Sequence, residues 1–160
     1  MRLSLLMIYL IWGSHAPAQN ALIDKGNQFY HQGQYGLAEV QYQMALRDSP
    51  TSLTAQYNLA NALHMQKKWD KAIEGFNQVI AGTGDARLKA AAWYNKGVAY
   101  SQQKSLEESI EAYKTALRFD PADNNARENL QKALLELKKK QSNSQQQKQN
   151  QKKLSIYSLN

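Results

Sequence analysis

Catalysis needs nucleophiles, bases or ligands, and this chain of 160 residues is short of them. It has no cysteine, which removes disulfides, thiolate nucleophiles and thiolate metal sites together. Its histidines are His15, His31 and His64. His31 and His64 fall at near-equivalent places of an internal repeat, but no acid accompanies them there, and a metal site needs further converging ligands. There is no Ser-His-acid order with a supporting motif, no carboxylate pair in a defined context and no glycine-rich phosphate loop. The expectation is a protein that is not an enzyme and uses no metal or cofactor. What the chain offers instead is a set of amides and phenols spaced by threes and fours: Asn27 and Tyr30; Tyr57, Asn58, Asn61 and His64; Tyr94 and Asn95; and Asn129. That spacing puts each group on one side of a helix. Asn carries both a donor and an acceptor, so it can pair with both kinds of group on an extended peptide backbone. Tyr adds rigid apolar area with a polar tip. Packing explains Asn58, Asn95 and Asn129 about as well as binding does, whereas Asn27 and Asn61 stand where a ligand is the better reason.

The elements that position these groups follow from a self-similarity. KGNQFYHQGQYGLAEVQYQMAL from Lys25, LANALHMQKKWDKAIEGFNQVI from Leu59 and KGVAYSQQKSLEESIEAYKTAL from Lys96 align without a gap. Gly26, Ala60 and Gly97 share one small position, followed by Phe29, Leu63 and Tyr100. Then come Tyr35, Trp69 and Leu106; Ala38, Ala72 and Ser109; Tyr42, Phe76 and Tyr113; and Ala45, Val79 and Ala116. Apolar and small residues recur at i, i+3, i+4 and i+7 in both halves of each copy, which predicts two helices per copy. Small residues at fixed places let the two helices approach closely, and the aromatic fills the space beside them. Pro50 and Pro121 stop the second helices of copies one and three. Copy two lacks that proline and carries Gly82, Gly84 and three extra residues, which reads as a longer loop.

These residues resemble the tetratricopeptide repeat, down to its W-x-x-L-G-x-x-Y type of start and the later small, aromatic and Pro positions. The resemblance covers Gln19 to about Lys140 and implies an all-α, right-handed solenoid of three helix-turn-helix repeats, over about 19–52, 53–89 and 90–123. A capping helix over 124–140 follows, with Ala126, Leu130, Ala133, Leu134 and Leu137 on its inner face. One helix pair cannot bury its apolar face alone, so three repeats are the minimum. The resemblance also implies that the first helices line a concave groove. In the co-chaperone branch of the family the groove clamps a terminal carboxylate through two Asn and three cations. Here the matching positions are Ile23, Asn27, Asn58, Ala91 and Asn95, so the cations are absent, and charge-assisted bonds supply most of the strength of such a clamp.

Residues 1–18 read as a signal peptide: Arg2, the apolar run Leu3–Trp12, then Ala16 and Ala18 framing an A-x-A site. A run of ten residues is too short to span a bilayer, which takes about 20. Of the net charge of +7, Arg2 supplies one and the far end six. Residues 19–137 are balanced, and the excess is Lys138, Lys139, Lys140, Lys148, Lys152 and Lys153. A neutral body on an exported chain argues against nucleic acid. Residues 141–160, rich in Gln and Lys, are expected to be disordered. The signal peptide, the KGN start, the long linker before AAWYNKG and the Gln-rich tail are similar to those of short exported proteins of the Bacteroides aerotolerance operon. That resemblance implies a periplasmic protein beside von Willebrand-type membrane proteins. The expected function is a protein- or peptide-binding module of the cell envelope. The alternative is a structural subunit that docks through its convex face or tail.

Overall fold

The structure, a computed structural model, describes residues 16–157. Most of the signal peptide therefore lies outside the described residues. Seven helices occur among them: α1 (Ala16–His31), α2 (Tyr35–Asp48), α3 (Leu53–Met65), α4 (Trp69–Gly82), α5 (Ala86–Gln102), α6 (Leu106–Phe119) and α7 (Asn124–Tyr157). Each packs on the next, and α1, α3, α5 and α7 also touch in succession. The helices stack as a tetratricopeptide solenoid, with the first helices of the repeats side by side.

The aligned residues build its core. Ala38, Tyr42 and Ala45 are buried on α2, Ala72, Phe76 and Val79 on α4, and Ser109, Tyr113 and Ala116 on α6. Burying one large side chain contributes about 1.5–3 kcal/mol, so the aromatic at the centre of each pair carries much of that repeat's stability. The small positions are steric requirements. A Cβ on Gly26 would clash with the edge of the Tyr42 ring, and one on Gly97 would stand 2.7 Å from Tyr113. Ser109 fits the alanine position because its hydroxyl donates to the Leu106 carbonyl at 2.8 Å. Each repeat turns between its helices at one left-handed residue: Gly33 (φ 74), Lys67 (φ 61) and Lys104 (φ 64). The next amide then reaches back to close the helix end, from Gln34 to Phe29, Lys68 to Leu63 and Ser105 to Tyr100, at 2.9–3.0 Å.

Three expectations are revised. The extra residues of copy two do not lengthen the loop. Only residues 83–85 separate α4 from α5, and α5 has 17 residues where α3 has 13. The Asp85 carboxylate accepts from the Arg87 amide at 2.7 Å and from that of Leu88 at 3.3 Å, which starts the helix one turn early. Helix α5 thus begins at Ala86, one turn before residue 90. On α7, Ala126 and Ala133 are buried and Leu130 and Leu137 pack against Ile110 and Tyr113, but Leu134 is 45% exposed. It matches Leu63, which packs with Phe76 of its own second helix, and α7 has no second helix. Finally, α7 does not end near Lys140 but runs to Tyr157, with residues 141–151 exposed. No Gly or Pro follows Pro121, and Gln and Lys are good helix formers, so nothing local stops the helix once α6 has nucleated it.

Candidate functional site

The first helices place the predicted amides next to one another in pairs. Asn58 of α3 donates its Nδ2 to the Oδ1 of Asn27 on α1 at 3.0 Å. One repeat on, Asn95 of α5 donates its Nδ2 to the Oδ1 of Asn61 on α3 at 2.9 Å and to the Tyr57 hydroxyl at 2.8 Å. The third step is different. Val98 stands where Asn27 and Asn61 stood, and Asn129 of α7 donates only to the Tyr94 hydroxyl, at 3.1 Å. Two complete rungs and one partial rung therefore cross the groove. Each complete rung pairs one asparagine that packing explains with one for which a ligand is the better reason.

The bonds also fix which way each amide faces. Asn27 and Asn61 spend their carbonyls inside the rung, and Asn58 and Asn95 spend their Nδ2 groups there. The Nδ2 of Asn27 and Asn61 and the Oδ1 of Asn58 and Asn95 make no hydrogen bond among the described residues and are not fully buried. Each rung therefore shows solvent one donor and one acceptor. Around the first rung lies an open cavity of about 300 Å³ lined by Asn27, Tyr30, His31, Tyr42, Asn58 and Asn61. Tyr42 is the residue that sequence reasoning assigned only to the core. Its ring is buried, but its hydroxyl crosses to donate to Asn27 Oδ1 at 2.8 Å. The signal for it was present: Tyr42 and Tyr113 carry hydroxyls where Phe76 has none, and the Tyr113 hydroxyl likewise meets Ser101 at 3.1 Å.

Tyr57 and Tyr94 are half-buried, one against Phe76 and the other tilted on Tyr113, with ring centroids 6.0 Å apart in both cases. They support the rungs and so present only part of their surface to the groove. Burial pushes the Tyr42 hydroxyl up to about 12, with the neighbouring Tyr30 adding to the effect. Both groups in each of these bonds are therefore neutral at ordinary pH. His64 is half-buried, which lowers its pKa, and its Nδ1 is a buried atom without a hydrogen-bond partner. Where the carboxylate clamp has cations, Ile23 is buried, Ala91 is apolar and Asn95 is committed to its rung. No group of three or more His, Cys, Asp or Glu comes together among the described residues. The same residues include no helix long and apolar enough to cross a membrane.

Tetratricopeptide-repeat family models match residues 26–67, 54–81 and 90–123. The Hsp70-Hsp90 organising protein of Plasmodium falciparum (isolate 3D7) is 32% identical over 122 residues, which are 73% of this chain and 21% of that protein. The RNA polymerase II-associated protein 3 of Homo sapiens is 29% identical over 122 residues, 75% of this chain and 18% of its own. The chain thus spans about a fifth of the length of the curated relatives it matches. Among solved structures, the first tetratricopeptide domain of Spaghetti bound to an HSP90 peptide superposes with a TM-score of 0.70 and 26% identity, covering 78% of this chain and 98% of that one.

Proposed function

The chain is a tetratricopeptide-repeat protein, and from that premise we propose that it is a non-catalytic adaptor that holds an extended peptide segment of a partner in its concave groove. One observation carries the reading: the rungs Asn27–Asn58 and Asn61–Asn95 each leave one donor and one acceptor open to solvent. That is the complement of a peptide backbone. The peptide seated on the similar Spaghetti domain supports it. The missing cations turn the preference away from a terminal carboxylate and towards an internal, uncharged stretch. The test is a peptide array probed with the full chain. Hits should vanish with the double change Asn27→Ala and Asn61→Ala while the melting temperature stays within a few degrees. Hits that persist would refute the reading.

A second reading, a structural subunit, draws on a different surface. Leu37, Val40 and Met44 form an exposed stripe on α2, at 49%, 47% and 41% exposure. The matching places on α4 and α6 hold Lys71, Glu74 and Gln78, and Glu108, Glu111 and Thr115. Loss of co-purifying proteins on Val40→Asp, with array binding intact, would favour that reading.

The site of action in this proposal is the periplasm, after cleavage behind Ala18, supported by Arg2, the apolar run and the Ala16/Ala18 pair. The exported protein should begin at Gln19; a retained Met1 in a membrane fraction would count against it. The resemblance to the aerotolerance-operon proteins supports von Willebrand-type membrane proteins as the partners to look for among co-purified proteins.

A further inference from the structure

We infer that the partner's segment carries a cationic nitrogen group, either a Lys or Arg side chain or a free amino terminus, that sits against Asp24 beside the first rung. This rests on the groove reading above and adds the charge of the ligand and where that charge lies. One position of the repeat points there. Asn58, Asn95 and Asn129 share it, and each donates its Nδ2 to a group on the first helix before its own. The same position on α1 holds Asp24. No first helix precedes α1 among the described residues. A carboxylate at that place cannot donate and can only accept.

Asp24 lines a cavity of about 500 Å³ between α1 and the start of α3, together with Asn20, Ile23, Asn27, Ser52 and Thr54. Asn27 also lines the cavity around the first rung, so the two adjoin. No Lys or Arg lines either one. Asp24 has no ion-pair partner among the described residues, whereas Glu128 and Lys132, beside Asn129 on α7, neutralise each other at 2.6 Å. Asp24 is therefore the uncompensated charge of these cavities. The first turn of α3 opposes it with roughly half a positive charge, part of which is already answered where the Ser52 hydroxyl accepts from the Ala55 amide at 3.4 Å. A full negative charge outweighs the remainder, and the cavity favours a cation.

The neighbouring groups suit that ligand. An ammonium has three N–H donors and no acceptor. The Asp24 carboxylate, the Asn20 carbonyl and the Thr54 hydroxyl are acceptors on the wall of one cavity. Over the rungs themselves the amides offer only neutral partners, so the stretch that crosses them stays uncharged and the cation lies to one side of it. The polarity is opposite to that of a carboxylate clamp. Ile23, Ala91 and Asn95 stand where the clamp has cations, and the residue next to Ile23 is the acid.

The experiment titrates the full chain with two positional-scanning libraries of C-amidated nine-residue peptides, one N-acetylated and one with a free amino terminus. In the acetylated library, Lys or Arg at one position should tighten binding about fivefold, the scale of an exposed ion pair. If the cation is an amino terminus, the free-amine library should instead bind about fivefold more tightly than the acetylated one. In either case Asp24→Asn should erase the gain and Asp24→Lys should turn the preference to Asp or Glu. The melting temperature should barely move, because Asp24 is exposed. A gain that survives Asp24→Asn, or no gain from either kind of cation, would overturn the inference. The groove reading would still stand in that case if Asn27→Ala with Asn61→Ala abolished binding of the neutral peptides. Failure of every peptide in both libraries to bind would remove the inference and the groove reading together.

Discussion

Gly75 and Ala60 meet across the α3–α4 interface so closely that a methyl on Gly75 would stand 2.9 Å from the Ala60 Cβ. Repeat two thus reverses the arrangement of its neighbours, where the glycine is on the first helix and faces a tyrosine. In an open helix Gly→Ala gains up to about 1 kcal/mol. Here the clash decides the sign, because overpacking costs about 1–3 kcal/mol. Gly75→Ala should lower the urea midpoint, and Ala60→Gly added to it should recover part of the loss. A Gly75→Ala protein at least as stable as the parent would contradict the packing described.

Lys67 holds a left-handed conformation at the turn of repeat two, where repeat one uses Gly33. That conformation costs a side chain about 1–2 kcal/mol. Lys67→Gly should raise the melting temperature by a few degrees, and Gly33→Ala should lower it. No rise with Lys67→Gly would show that the lysine is not strained.

Asn95 donates to two groups and Asn129 to one. Asn95→Ala should therefore destabilise by about 1–2 kcal/mol and Asn129→Ala by about half as much. Equal losses in chemical denaturation would argue that the second partner of Asn95 contributes nothing.

Tyr42 titrates at about 12 in the fold against 10.0 for a free phenol. A raised pKa means that the fold prefers the neutral form. The stability linked to Tyr42 is complete below pH 10 and is lost as pH rises towards 12. Tyr42→Phe should be less stable at neutral pH, because Asn27 loses a donor, yet fall less steeply above pH 10. Parallel stability curves for the two proteins would exclude Tyr42 as a source of the alkaline loss.

A stop after Lys140 removes a helical segment whose residues 141–151 are exposed. Far-ultraviolet dichroism should show fewer helical residues, while the melting temperature stays put. A fall of several degrees would show that the segment packs on the body.

Much of this protein was legible in its sequence. The spacing of Gly26, Tyr35, Ala38 and Tyr42 against Ala60, Trp69, Ala72 and Phe76 located the helix pairs, because close packing admits small and aromatic residues only at fixed places. Tyr35, Trp69 and Leu106 open α2, α4 and α6 as the alignment implies. The same register places Asn27, Asn58, Asn61 and Asn95 on the first helices, where they pair. The length of α5 was less so: three added residues fit a loop or a helical turn equally well until Asp85 is seen to cap the helix at Ala86. The extent of α7 was missed because composition weighs burial, whereas a helix already nucleated on α6 needs only residues that tolerate extension.

The sequence by itself determined the repeat, its register and the residue types on the concave side, since these depend on periodicity along the chain. Only the tertiary structure decided how the asparagines act. Asn27 and Asn58 are 31 residues apart, and nothing local says that one amide would turn its carbonyl to the other's Nδ2. That choice comes from bringing α1 beside α3, where the Tyr42 hydroxyl and the Asn58 amide both need the same acceptor. With Asn27 Oδ1 committed to them, its Nδ2 and the Asn58 Oδ1 are the groups left to face the groove.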